Sequence, residues 1–192
     1  DARVGADVKP ILGMDDWIFD IAITANRPDC QSIFGLAREV AAALGQPLKT
    51  PALDYTETEV EKEGFEVTVD AQDLCPRYIA HYVYDVKLGQ SPAWMRRRLA
   101  LVGNNSISNI VDITNYIMRE LGQPLHAFDC NFLEGNAIQV RRANEGEKIV
   151  TLDEKEFTLN PNNLVICDGK KPVALAGIMG GLNSEIRDTT TE

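Results

Sequence analysis

Residues 137–177, "AIQVRRANEGEKIVTLDEKEFTLNPNNLVICDGKKPVALAG", break at Asn, Asp, Gly and Pro positions into short runs: "AIQVRRA", "EKIVTL", "KEFTL", "NLVICD" and "KPVALAG". The runs are rich in Val, Ile and Thr, alternate in polarity and are bounded by turn residues, which predicts short strands rather than helices. Upstream the period changes. Ser32 precedes "IFGLAREVAAALG", whose apolar residues recur at helical spacing up to Gly45. Ser91-Pro92 opens a second helix over "AWMRRRLALVG", and a third runs through "ISNIVDITNYIMREL" to Gly122. Alternation also predicts strands over "WIFDIAI" (17–23), "FEVTVD" (65–70) and "YIAHYVYDV" (78–86). The acidic, proline-bearing residues 46–64 read as a long surface connection. The expectation is an α+β fold of layered sheets with about three helices, strands dominating the C-terminal third, in a single domain over residues 1–192.

Composition narrows the function. The chain has 192 residues, 44% hydrophobic and 25% charged, as a soluble globular domain does. It has no run of about 18 apolar residues, so no membrane span is expected. The start, "DARVGADVKP", lacks the basic-then-apolar pattern of a signal peptide and reads as the cut end of something longer. The cysteines at 30, 75, 130 and 167 form no CxxC, and with two scattered histidines they give a zinc site no support. Reduced thiols and a cytoplasmic location are expected. A net charge of −10 argues against a protein that coats nucleic acid. The one basic cluster, Arg96-Arg97-Arg98, lies on a helix and reads as a solvated face able to touch one or two phosphates.

Four local features rise above composition. "NRPDC" (26–30) reads as a loop fixed by Asx turns and an Arg27–Asp29 pair. In "DITNY" (112–116), Thr114 and Asn115 are poor helix formers inside an apolar helix, so each side chain either returns to the backbone or points at something. "GQPLHAFD" (122–129) places His126 between Leu125 and Phe128, with Asp129 three positions on. A core packing role, a metal site and a catalytic pocket all remain open there, and imidazole is the side chain that titrates near neutral pH. The other histidine, His81, reads as an ordinary strand residue. "LAGIMGG" (175–181) brings Gly177, Gly180 and Gly181 together after a strand, where glycine permits a tight turn or close approach to a ligand. No Lys-Ser or Lys-Thr follows it, so it is not a P-loop.

Taken in order, "ITANRPDCQSIFGLARE", "CPRYIA", "SPAWMRRRL", "NIVDITNYIMRELGQPLHAFD" and "LAGIMGG" resemble the editing module of the bacterial phenylalanyl-tRNA synthetase beta subunit, from about residue 17 to the end. The resemblance implies a place in a phenylalanine–tRNA ligase and a site that hydrolyses tyrosine wrongly attached to the phenylalanine tRNA. The family's pocket threonine and asparagine fall on Thr114 and Asn115, its histidine on His126, and its two pocket-wall glycines on Gly177 and Gly180. His126 and Asn115 are the implied catalytic residues, with donors for an oxyanion sought in the Asn115 amide and the Gly177–Gly181 N–H groups. The implied partners are tRNA, the synthetase alpha subunit and the rest of the beta subunit. No cofactor is expected in this segment; ATP and magnesium are expected for the complete synthetase. Two departures are visible. Asn105 stands where the best-known members have an arginine, and the family's pocket glutamate and threonine-alanine pair belong beyond "RDTTTE", so Glu192 is not that glutamate. On that basis the segment alone is expected to be weak or inactive. The competing readings are a non-catalytic tRNA-docking or scaffold module, and a stand-alone trans-editing relative.

Overall fold

The computed structural model describes residues 2–52, 54–56 and 64–192, so part of the 46–64 connection lies outside the described residues. The chain divides into two compact units. One comprises Asp1–Thr50 and Gly89–Leu125, the other Pro51–Leu88 and His126–Glu192.

The first unit is helical: α1 (Val8–Leu12), α2 (Ile33–Leu44), α3 (Ala93–Leu101) and α4 (Asn109–Leu121). Helix α2 starts and stops where its sequence directs. The Ser32 side chain accepts from the Gly35 N–H, and Gly45 closes the helix in the left-handed conformation. Helix α4 repeats the scheme with Ser108, which accepts from the Val111 N–H, and Gly122 at φ 83°. Helix α3 differs from expectation at its start. Ser91 does not cap it; the Ser91 hydroxyl donates instead to Asp112 Oδ2 at 2.5 Å. Asp112 is fully buried on α4 and also accepts from the Ser106 hydroxyl at 2.5 Å and the Ile107 N–H at 2.8 Å. Burial opposes ionisation of this carboxyl, but the two hydroxyls and the N–H outweigh it and hold its pKa below the usual range. The Asp112 side chain thus ties the start of α3 and the loop after it onto α4.

Within the arginine cluster, Arg97 is half-buried and pairs with Asp16 at 3.2 Å. Arg98 is exposed, donates to the Tyr116 hydroxyl at 2.6 Å and stands over the Trp94 ring. Two of the three guanidinium groups therefore have partners within the unit. In "NRPDC" the expected pair is present, with Arg27 and Asp29 at 2.8 Å and Arg27 reaching Glu39 on α2 as well, but Pro28–Gln31 forms a short 3-10 helix in place of the expected Asx turns.

The second unit carries all the described strands: β1 (Glu66–Val69), β2 (Ala137–Arg142), β3 (Lys148–Val150), β4 (Glu156–Thr158), β5 (Leu164–Cys167), β6 (Pro172–Leu175) and β7 (Met179–Gly180). Five form a sheet in the order β1-β2-β5-β6-β7, and β3 pairs with β4 in a small second sheet. β1 runs parallel to β2, and the remaining neighbours are antiparallel. A parallel pair needs a long crossover, and the chain between β1 and β2 contains α3 and α4. Alternation is read out directly in burial. Val165 and Cys167 on β5 pack with Ala143, Ile149 and Leu159 in a core on one face of the sheet, while Ile138 and Val140 on β2 are buried on the opposite face, where Val140 stands across from Ile166. Each fully buried Val of this set contributes about 1.5–3 kcal/mol relative to exposure. Burial also pushes the Cys167 thiol up to about 12, which leaves it an inert core residue.

The α+β architecture is thus as the sequence predicts, and each predicted run within 137–177 contains a strand. Two upstream strands are corrected. "WIFDIAI" forms no strand: Trp17 and Phe19 are 86% and 80% exposed, and alternation without a neighbouring strand to pair with does not make a ladder. "YIAHYVYDV", with His81, is likewise irregular. Helix α1 was not expected, and no residue in it is buried. Among the described residues, no helix is long and apolar enough to cross a membrane.

Candidate functional site

The second unit brings two of the residues singled out in the sequence together. His126 lies in the loop leading towards β2, and Gly180 ends β7. A Cβ placed on Gly180 would fall 2.5 Å from His126 Nε2, closer still to Cε1, and 3.1 Å from Leu152 Cδ1. Gly180 is therefore a glycine because an imidazole ring occupies the space a side chain would need. Phe128 also meets that ring edge-on, with centroids 4.7 Å apart. The Leu152 N–H donates to the Gly180 carbonyl at 3.0 Å, which fixes the third wall. His126 as a whole is exposed, yet this apolar cover desolvates the ring enough to lower its pKa from the ordinary histidine value. The neutral imidazole, one nitrogen a donor and the other an acceptor, is the form this environment favours.

The neighbouring glycines have different reasons. Gly177 takes φ 71°, with open space around its Cβ position, so it serves a left-handed turn. At Gly181 a Cβ would meet the Val173 carbonyl oxygen at 2.6 Å, a clash with backbone. The turn's N–H groups are mostly committed: Gly181 donates to Val173 at 2.7 Å and Ile178 to Leu175 at 3.0 Å. The Gly181 and Ile178 N–H groups are therefore not free to stabilise an oxyanion. Gly177 N–H has no such partner among the described residues.

Thr114 and Asn115 sit side by side on α4 in the helical unit and are half-buried. The Thr114 hydroxyl returns to the backbone, donating to the Val111 carbonyl at 2.8 Å. The Asn115 amide forms no hydrogen bond among the described residues, which leaves it available to a ligand. Asn105 is exposed in the α3–α4 loop. The Glu192 carboxylate accepts from the Tyr82 hydroxyl.

Leu152 was not singled out in the sequence, and nothing local in "TLDEK" marks it; only the pairing of its backbone with Gly180 brings it to the histidine. The Asp29, Cys30 and Glu39 side chains approach one another closely enough to share an ion, but the Arg27 guanidinium already bridges the two carboxylates.

The second unit thus seats a desolvated histidine on a glycine turn, and the helical unit, taken by itself, carries an Asn115 amide with no hydrogen bond among the described residues. The family described as B3/4 domain matches residues 74–192, and the chain belongs to it. Over its length it is also similar to proteins named phenylalanine–tRNA ligase beta subunit. The Syntrophus aciditrophicus protein is 55% identical over 193 residues, covering 98% of this chain and 24% of the relative. Those of Bdellovibrio bacteriovorus and Geobacter sulfurreducens are 51% and 50% identical, each covering 100% of this chain and 24% of the relative. The chain thus spans about a quarter of the length of the curated relatives it matches.

Proposed function

We propose that this chain is the editing part of a phenylalanine–tRNA ligase beta subunit, and that it hydrolyses tyrosine mischarged onto the phenylalanine tRNA. The observation that carries the reading is His126 seated on Gly180, in a chain 50–55% identical to proteins of that name. The physical need is plain. A pocket for a phenyl ring rejects the same ring with one added hydroxyl by only about a hundredfold. A second site that hydrogen-bonds the hydroxyl discriminates the other way, because phenylalanine leaves its polar groups unpaired.

In this reading residues 1–192 serve as one module, with Thr114, Asn115, His126, Gly177 and Gly180 around the aminoacyl ester. The reaction is attack by water on the ester carbonyl, which releases tyrosine and a tRNA hydroxyl. His126, held neutral, orients the water or the terminal adenosine, and Asn115 offers its amide to the developing oxyanion. Gly180 keeps the imidazole in place by lacking a side chain. The partners are the acceptor end of tRNA, the alpha subunit and the remainder of the beta subunit. ATP and magnesium belong to the complete synthetase, and the location is the cytoplasm.

The test is Asn115→Ala in the full-length synthetase. At saturating Tyr-tRNA the hydrolysis rate should fall roughly 10²-fold, the scale of losing one oxyanion donor, with aminoacylation by phenylalanine unchanged. Normal hydrolysis once saturated would remove Asn115 from the oxyanion site, and an unmodified synthetase that binds Tyr-tRNA without hydrolysing it would favour a docking module and sink the editing reading.

A further inference from the structure

We infer that Asp129 is a positioning residue whose carboxylate, clasped by the Thr190 hydroxyl, holds the His126 loop onto Gly180. The inference deepens the proposed function and rests on it for its catalytic consequence, though not for its geometry.

The spacing His126-x-x-Asp129 suggests a histidine–carboxylate dyad, but no hydrogen bond joins the two among the described residues, and both carboxylate oxygens accept from other donors. Oδ1 accepts from the Asn131 N–H at 2.9 Å and from its side-chain amide at 3.0 Å. Oδ2 accepts from the Thr190 hydroxyl at 2.6 Å. Asp129 is 1% and Thr190 3% exposed, so water does not compete for this bond. The Thr190 hydroxyl is itself oriented, since its oxygen accepts from the Arg187 N–H at 2.9 Å and its proton is left for Asp129. The backbone repeats the attachment. The Asp129 N–H donates to the Ser184 carbonyl at 3.1 Å, and the buried Ser184 hydroxyl donates to the Val173 carbonyl, which also receives the Gly181 N–H.

The loop is therefore fastened to one stretch of chain, residues 180–190, at both ends. His126 rests on Gly180 at one end, and Asp129 is bound to Ser184 and Thr190 at the other. Only a group with acceptors alone can satisfy three donors here, which is why the position carries a carboxylate rather than an amide. With the Thr190 bond released, the loop keeps the backbone bonds of Asp129 to Ser184 and of Cys130 to Glu192, and among the described residues the ring itself meets only Phe128, Leu152 and Gly180. None of those three is titratable, so the ring's pKa reports its cover directly.

The experiment compares the 192-residue chain with Thr190→Val, Thr190→Ser and Asp129→Asn by NMR. It reads the contacts between His126 ring protons and Gly180 α-protons, and the His126 titration midpoint. Thr190→Val should lose the contacts, and its midpoint should rise towards the ordinary value. Thr190→Ser, which keeps the hydroxyl, should retain both. Thr190→Val that keeps the contacts and midpoint, or Thr190→Ser that loses them equally, would overturn the inference. If Thr190→Val does not fold, Asp129→Asn decides: lost contacts support the clasp and retained contacts refute it. Hydrolysis of Tyr-tRNA by full-length synthetase carrying Thr190→Val is read separately. Normal hydrolysis together with lost contacts in the chain would leave the clasp standing and refute the editing role of His126.

Discussion

Gly180→Ala in the full-length synthetase is expected to lower hydrolysis of Tyr-tRNA by about 10²-fold, the scale that an ångström of misplacement costs at a reacting centre. The added methyl would stand 2.5 Å from His126 Nε2 and 3.1 Å from Leu152 Cδ1, and both are ends of side chains rather than backbone. The ring moves, so the fold should survive with little change in melting temperature. Gly180→Trp should remove hydrolysis altogether by the same route. The adjacent glycine is the control. At Gly181 the clash is with the Val173 carbonyl oxygen at 2.6 Å, and that oxygen belongs to the core strand β6. Gly181→Ala should therefore lower the melting temperature more than Gly180→Ala does. Thermal melting of the two variants beside deacylation assays separates the cases; a Gly180→Ala protein that is unfolded, or fully active, would remove Gly180 from the pocket wall.

His126→Ala is the second large effect. Hydrolysis of Tyr-tRNA should fall by roughly 10²-fold, within the range for loss of one proton-transferring or water-orienting group. Activation and transfer of phenylalanine should be unchanged. A pH signature accompanies it. Desolvation places the folded-state pKa of His126 below the unfolded value, so the unfolded chain takes up this proton first as the solution is acidified. The stability contributed by the neutral ring is fully present above about pH 6.5, the ordinary histidine value, and is lost as pH falls from there towards the folded pKa. The melting temperature of the 192-residue chain should therefore drop more steeply below that value than that of His126→Gln. Parallel curves for the two proteins would mean that the ring is not desolvated in solution.

Much of this architecture is legible in the sequence because its signals are local. Ser32 and Gly45 bracket α2, and Ser108 and Gly122 bracket α4, through hydrogen bonds to residues within one turn. The C-terminal strands are legible because each alternates and each has a neighbour to pair with. "WIFDIAI" alternates equally well and forms no strand, since the pattern specifies a face and not a partner. Ser91 looks like a helix cap, but a buried carboxylate twenty-one positions along the chain takes its proton. Helix α1 has a cap at Asp7 and a stop at Gly13, yet five residues are too few to show a period.

The site was legible in a different way. Thr114, Asn115, His126, Gly177 and Gly180 stand out as local features whose packing or functional role the residues leave open, and the resemblance is what points them to a site. The structure contributes the reason for one pair, His126 on Gly180, and shows what no local pattern could. Leu152 reaches the ring through a backbone bond to Gly180, and Asp129 turns away from the histidine to Thr190. Both are contacts over long sequence separations.

The central claim, that this chain carries a site selecting tyrosine over phenylalanine on tRNA, is tested most directly by deacylation under single turnover. Tyr-tRNA and Phe-tRNA, each esterified on the phenylalanine tRNA, are incubated with the full-length synthetase containing this sequence. The account predicts faster hydrolysis of the tyrosyl ester, by about four orders of magnitude where a buried hydrogen bond to the hydroxyl sets the selectivity. Equal rates for the two esters, or rates no faster than without the enzyme, would contradict it.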